Sequence, residues 1–224
     1  MRDFTFQCPT KIIFGKDAEN QVGAEVKKYS DKVLLHYGGG SIKKSGLYDR
    51  IVKSLKDNGI EFIELSGVKP NPRLSLIREG IKICRENNIG CVLAVGGGSV
   101  IDSSKAISLG VMYEGDVWDF WIGKAKPQAV LPFGVVLTLP ATGSEASNSC
   151  VITNEDGWYK KGINTDLNRS KFSILNPELT YTLPMFQTVC GAADIMAHVI
   201  ERYMTNTPHV DLTDRLCEAV LKSI

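Results

Sequence analysis

Twice in this sequence a short apolar run ends directly in Gly-Gly-Gly-Ser. KVLLHY (residues 32–37) leads into Gly38, Gly39, Gly40 and Ser41, and CVLAV (residues 91–95) leads into Gly96, Gly97, Gly98 and Ser99. Near-continuous apolar runs of this length read as strands buried on both faces, the habit of parallel sheets covered by helices. Ligands of open α/β sheets bind at the carboxyl ends of such strands. Glycine there lets backbone N–H groups approach a phosphate, and the following helix N-terminus adds a favourable dipole. Neither run matches G-x-G-x-x-G, so the common dinucleotide fingerprint is absent. One run alone would read as a tight strand–helix turn; two, each followed by Ser, favour phosphate binding.

EFIEL (residues 61–65) and GVVLTL (residues 134–139) are further strand candidates. Between the strands, Leu47, Ile51 and Leu55 recur at helical spacing, as do Leu74, Ile77, Ile81 and Cys84. Each set is one face of an amphipathic helix. The alternation predicts an α/β fold with a doubly wound, mostly parallel sheet. After Leu175 the texture changes: residues 176–184 (NPELTYTLP) form a proline-bounded connector, and the rest reads as helical apart from a break near residues 205–208. The expected organisation is an α/β domain over residues 1–180 and a helical segment over residues 181–224. At roughly 40 residues that segment is too small to hold a core of its own, so it reads as the start of a larger helical domain.

The charge balance, 26 Lys+Arg against 25 Asp+Glu, leaves +1 and gives no basic surplus for a nucleic acid or an anionic membrane. An apolar content of 43% argues for a folded globular chain and against disorder. The six cysteines form no CxxC pair and no metal-ribbon spacing, which predicts reduced thiols and a cytoplasmic setting. The first eleven residues lack a signal-peptide core. The longest uncharged stretch, residues 127–144, carries Pro132 and Pro140 and reads as a buried strand with loops.

Several side chains have the chemistry for a site. Asp102, near the start of the helix after the second glycine run, reads either as an acceptor for a ribose hydroxyl or as a carboxylate facing the helix dipole. Thr142 and Ser144 follow the GVVLTL strand and read as ligand contacts or, more simply, as helix N-caps. Asp194 and His198 stand four apart in a helix and share a face. A carboxylate and an imidazole so placed make half of a divalent-metal site, or an ordinary hydrogen-bonded pair. His209, past Pro208, reads as a surface turn residue; Cys150 and Cys190 read as packing residues.

The motifs together resemble the iron-containing (group III) alcohol dehydrogenase family, in particular its NADPH-dependent butanol dehydrogenase and aldehyde reductase branch. The resemblance rests on PTKIIFGK (residues 9–16), YGGGSIKKSGLYD (37–49), NP (71–72), GGGSVID (96–102), TLPATGSE (138–145), TYTLP (180–184) and the D-x-x-x-H of Asp194 and His198. It implies a dinucleotide-binding α/β domain of dehydroquinate synthase-like fold, then an all-helical domain, with a catalytic metal in the cleft between them. It also implies that Gly39, Gly40 and Ser41 lie beside the adenosine ribose, and Asn71, Gly97, Gly98, Ser99 and Asp102 around the pyrophosphate and ribose. Thr138 and Thr142 match further cofactor contacts, Lys160 matches a lysine reaching the nicotinamide side, and Asp194 and His198 match the first two metal ligands.

The activity so implied is hydride transfer between NADP(H) and a primary alcohol or aldehyde such as butanol or butyraldehyde, with Fe²⁺ or Zn²⁺ as Lewis acid. The preference for NADP(H) rests on Ser41, Lys43 and Lys44, a hydroxyl and two cations suited to a 2′-phosphate. Glu64 argues the other way, as the acidic residue of an ordinary NAD site. The family's third and fourth metal ligands are histidines further downstream, so the sequence is expected to be the amino-terminal part of such an enzyme. The rival expectations are a non-catalytic nucleotide-binding module and a glycerol dehydrogenase-like or dehydroquinate synthase-like relative. Dimerisation through residues 5–14 as an edge strand completes the expectations.

Overall fold

The computed structural model describes residue 3 and residues 5–224. In chain order the α/β part runs β1 (Lys11–Phe14), α1 (Val22–Lys27), β2 (Lys32–Tyr37), α2 (Ser41–Lys44), α3 (Leu47–Asp57), β3 (Glu61–Leu65), α4 (Leu74–Glu86), β4 (Cys91–Gly96), α5 (Gly98–Val111) and β5 (Phe133–Leu137). A hairpin of β6 (Ser149–Asn154) and β7 (Tyr159–Asn164) precedes β8 (Phe172–Leu175), and α6 (Met185–Tyr203) and α7 (Asp211–Ser223) follow. Six strands form one sheet in the order β1-β8-β5-β4-β2-β3, parallel at every junction; β6 and β7 form a separate antiparallel pair, with a single bridge from Thr153 of β6 to Arg73.

Burial explains the strand composition. Every residue of β4 and β5, and every residue of β2 after Lys32, is buried between two helical layers, so these strands have no polar face to alternate with. One core joins the sheet to α4 and α5, the other joins its opposite face to α1 and α3. The expected helical faces are the buried ones: Leu47, Ile51 and Leu55 on α3, and Leu74, Ile77, Ile81 and Cys84 on α4. Helix α5 is buried on nearly all sides, and it approaches α4 closely enough that a Cβ on Gly110 would lie 2.2 Å from Ile81.

Some expectations change. The strand read at residues 134–139 is β5 at Phe133–Leu137, with Thr138 just beyond its end. No helix starts after it: residues 139–148 are turns, with Gly143 at φ +67, so neither Thr142 nor Ser144 caps one. β1, β8 and the hairpin had no strand signal of their own; β1 does form a sheet edge, within the span read as one. Cys150 is buried, but Cys190 is exposed on α6. No helix among the described residues is long and apolar enough to cross a membrane. Helices α6 and α7 bury only Gly191 and Cys217, leaving Met185, Phe186, Val189, Leu212 and Leu216 exposed.

The sheet reverses its winding direction between β2 and β4. The chain steps outward from β2 to β3, then returns to the other side of β2 to place β4, and continues through β5. Both glycine runs stand at the carboxyl ends of these two central strands, at the crevice where open α/β sheets take their ligands. Beneath it, His36 of β2 is fully buried; its Nδ1 donates to the Leu65 carbonyl at 2.8 Å, leaving Nε2 for the Ser103 hydroxyl at 2.8 Å.

Burial pushes the His36 imidazole down to about 4, only partly offset by the Leu65 hydrogen bond. The unfolded chain, near the ordinary value of about 6.5, then takes up its proton first as pH falls. Stability is therefore expected to decline from about pH 6.5 to about pH 4, by up to roughly 3 kcal/mol from this group, and this contribution levels off below. Urea unfolding at pH 7 and pH 4.5 should show a smaller loss in His36→Gln than in the parent; an equal loss in both would reject the assignment.

Candidate active site

Helix α5 opens on the second glycine run. The N–H groups of Val100 and Ile101 both reach the Gly97 carbonyl, at 3.0 and 3.1 Å. Those of Gly98 and Ser99, at the very start of the helix, precede its internal bonding, an arrangement suited to an anion. Thr138 donates its N–H to the Gly96 carbonyl at 3.1 Å, so the β5 end is tied to the β4 end. Thr142 lies against the first turn of α5: a Cβ on Gly98 would meet its Oγ1 at 2.8 Å. Only glycine lets this loop and the helix start approach so closely.

The first glycine run is different in kind. No described atom lies within 4 Å of where a Cβ on Gly39 or Gly40 would be, and neither has a positive φ. The fold does not need glycine there; the room above the backbone is open to a ligand. The loop after β3 passes alongside, with Gly67 N–H on the Gly38 carbonyl at 2.9 Å. Asn71 lies further along that loop, exposed, in the left-handed region at φ 57, which asparagine tolerates. The next residue, Pro72, accepts the N–H of Thr153 on β6 at 2.8 Å.

Behind the α5 start lies a buried charge network. Lys105, with its side chain fully buried, donates to Ser144 Oγ at 2.9 Å and to the Ser147 and Ser149 carbonyls at 3.1 and 2.7 Å. Asp102 accepts the Ser144 hydroxyl at 2.6 Å on Oδ1 and the Val151 N–H at 3.0 Å on Oδ2, with Lys105 Nζ 3.9 Å away. Burial pushes Asp102 up and Lys105 down, and their mutual attraction offsets this only in part. Each Asp102 oxygen thus already takes an internal donor, and its first role is to hold the loop after β5 and the hairpin onto α5. Lys160, exposed on β7 opposite Thr153, adds a distant favourable charge to Asp102. Sequence reading missed Lys105, although a lysine three residues after Asp102, in a helix with no other charged residue, was a visible signal.

Lys43, read above as a cation for a 2′-phosphate, is instead engaged: its Nζ lies 3.2 Å from Glu64 Oε2. Lys44 and Ser41 stand exposed.

Asp194 and His198 are brought together on α6, Oδ2 to Nε2 at 3.8 Å, both about half exposed. One turn before Asp194 on the same face is Gly191, whose Cβ would sit 3.1 Å from the Pro140 carbonyl. The pair therefore lies along the face of α6 that packs on the loop after β5. A carboxylate and an imidazole are suitable donors for Fe²⁺ or Zn²⁺, and ligand bonds of about 2.1 Å let one ion span such a separation. Among the described residues no group of three or more His, Cys, Asp or Glu forms a metal-holding cluster. His209 is exposed at φ 61 and takes no part in the pair.

Across the carboxyl ends of the sheet the features fall in one order. The Asp194–His198 face adjoins the loop after β5, the open helix start follows β4, the open glycine run follows β2, and Glu64 ends the line on β3.

A family model for iron-containing alcohol dehydrogenase matches residues 9–177. The chain is 48% identical to NADH-dependent butanol dehydrogenase A of Clostridium acetobutylicum over 223 residues, covering all of this chain and 57% of that protein. It is 35% identical to the NADPH-dependent aldehyde reductase YqhD of Escherichia coli, covering all of this chain and 58% of the relative. The crystal structure of NADH-dependent butanol dehydrogenase A from Thermotoga maritima superposes with a TM-score of 0.95 at 44% identity, over all of this chain and 56% of that one. The chain thus spans little more than half the length of these relatives.

Removing Lys105 strands the Asp102 carboxylate in the interior. Lys105→Met should cost about 3 kcal/mol in urea unfolding, and adding Asp102→Asn should recover part of that loss. A single variant as stable as the parent would show that the network carries no stability.

Proposed function

Because the chain belongs to the iron-containing alcohol dehydrogenase family, we propose that its protein transfers a hydride between a nicotinamide dinucleotide and a primary alcohol or the corresponding aldehyde, of the butanol and butyraldehyde class. The observation that carries this reading is the linear order of features along the carboxyl ends of β5, β4, β2 and β3. A dinucleotide laid along it has its pyrophosphate on the Gly98 and Ser99 N–H groups at the α5 start, where partial positive charge favours it. Its adenosine ribose falls beside Gly39, Gly40 and Ser41, with Asn71 on the neighbouring loop. Its nicotinamide then turns toward Thr138, Thr142, Lys160 and the Asp194–His198 face.

The metal, Fe²⁺ or Zn²⁺, would be held by Asp194 and His198 together with the two further histidines that the family resemblance implies. Bound there, it would supply Lewis acidity to the substrate oxygen. The chain's own contribution is alignment: Gly191 lets α6 lie close on the Pro140 loop, so the ligand face and the cofactor crevice share one wall. We assign residues 181–224 to a helical metal-binding domain, whose further helices would cover the exposed apolar side chains of α6 and α7.

For the nucleotide, we propose NAD(H), because Lys43 is engaged by Glu64; the Clostridium relative is named for NADH. NADP(H) is favoured by exposed Ser41 and Lys44 beside the open glycine run, and the Escherichia relative is named for NADPH. A non-catalytic nucleotide-binding module is the reading favoured by a ligand pair that is half exposed and has no third donor among the described residues.

Metal content, dinucleotide binding and butyraldehyde reduction with NADH or NADPH, measured on the same preparation, separate these readings. The enzyme reading expects metal-dependent turnover that Asp194→Ala lowers roughly a thousandfold, the several kcal/mol a Lewis acid contributes, while dinucleotide binding persists. Dinucleotide binding with neither metal nor turnover would leave the non-catalytic module. No dinucleotide binding at all would reject both.

We also propose a homodimer through the open edge of β1, where Ile12 and Phe14 are 49% and 73% exposed. Sedimentation should give a dimer mass that Phe14→Asp halves; a monomeric parent rejects the proposal.

A further inference from the structure

Glu64 lies at the end of β3, in register with Leu35 of β2, two residues before Tyr37 and the open glycine run. Its carboxylate accepts the Tyr37 hydroxyl at 2.5 Å, the Tyr48 hydroxyl, and Lys43 Nζ at 3.2 Å. The two tyrosine rings meet edge-on with centroids 6.1 Å apart. Lys43 Nζ also lies over both rings, 4.5 Å from the Tyr48 centroid and 5.4 Å from that of Tyr37. Opposite charge and two ring faces together hold the ammonium on this cluster. Burial would raise the Glu64 carboxyl, but the three donors outweigh it and keep the group below its ordinary range, hence ionised at neutral pH. The Tyr48 hydroxyl, desolvated and bonded to that carboxylate, is pushed up to about 12 and stays a donor.

The consequence falls on the neighbouring ribose position. A 2′-phosphate placed beside Gly39 and Gly40, at the end of β2, would have a fixed carboxylate on the neighbouring strand, and Lys43 of α2, held by that carboxylate, would not be free to pair with it. We propose that Glu64 is a specificity-determining residue, disfavouring a 2′-phosphorylated dinucleotide both by its own charge and by holding Lys43 on its carboxylate. The inference rests on the dinucleotide site proposed above. Tyr37 and Tyr48 act as positioning residues: their hydroxyls fix the carboxylate, and their rings form the seat that Lys43 occupies.

Dissociation constants for NAD⁺ and NADP⁺, measured by calorimetry on the full chain, test this through four proteins: the parent, Glu64→Gln, Lys43→Met and the double variant. Glu64→Gln frees Lys43 and should shift the ratio of the two constants about tenfold toward NADP⁺. Lys43→Met alone should leave the ratio within about twofold of the parent, and in the Glu64→Gln background it should remove most of the gain. An unchanged ratio in Glu64→Gln, with both nucleotides binding, overturns the proposal. So does a tenfold loss of NADP⁺ affinity in Lys43→Met alone, since Lys43 would then already serve the phosphate. Lys43 is an exposed side chain, so that second arm stands even where Glu64→Gln folds poorly. A parent that binds neither nucleotide defeats the underlying site and the inference with it, which distinguishes that failure from an unmoved ratio.

Discussion

An ammonium group with no access to water must find every partner inside the protein, because moving it unpaired into the interior costs several kcal/mol. Lys105 meets that demand with Ser144, two carbonyls of the following segment and the nearby Asp102. To do so, the turns after β5 and the first residues of β6 must fold back over α5. That return brings Thr142 against Gly98 and ties the hairpin to the helix through the Val151 N–H on Asp102. The shape of the crevice above the α5 start thus depends on satisfying one buried charge behind it.

The sheet provides the other half of the arrangement. Because the winding reverses between β2 and β4, the loops on their carboxyl ends diverge and leave a groove. The two glycine runs that face it have different physical reasons. Gly97 and Gly98 are packed against Leu139 and Thr142, and a side chain there would push the loop away. Gly39 and Gly40 are packed against nothing, and a side chain there would fill space that the proposed adenosine requires. Two identical motifs in the sequence therefore serve close packing in one case and open access in the other.

Much of the α/β frame was legible because it is written in local patterns. The faces of α3 and α4 follow from apolar spacing, and β2, β3, β4 and β5 were legible as short apolar runs between turn signals. β7 was not, since YKKGIN is almost wholly exposed and carries no apolar alternation. β1 and β8, four residues each, are too short for periodicity to register, and they become strands by pairing with each other and with β5. The small-residue segment after β5 looked like a helix start because serine and threonine favour caps. The demand of Lys105 and Asp102 for partners took the Ser144 hydroxyl instead, and the Thr142 oxygen accepts the Ser144 N–H within the turn.

From the sequence alone came the parallel α/β class, the position of the glycine runs after strands, the helical faces and the pairing of Asp194 with His198. Each of these depends on residues within a few positions of one another, where helix and strand geometry dictate which side chains meet. The tertiary structure decided the strand order, the network joining Asp102 to Ser144 across 42 residues, and the capture of Lys43 by Glu64 across 21. Those contacts follow from how strands pair and helices stack at a distance, and no local pattern encodes which partner a charged side chain will meet once the chain has closed around it.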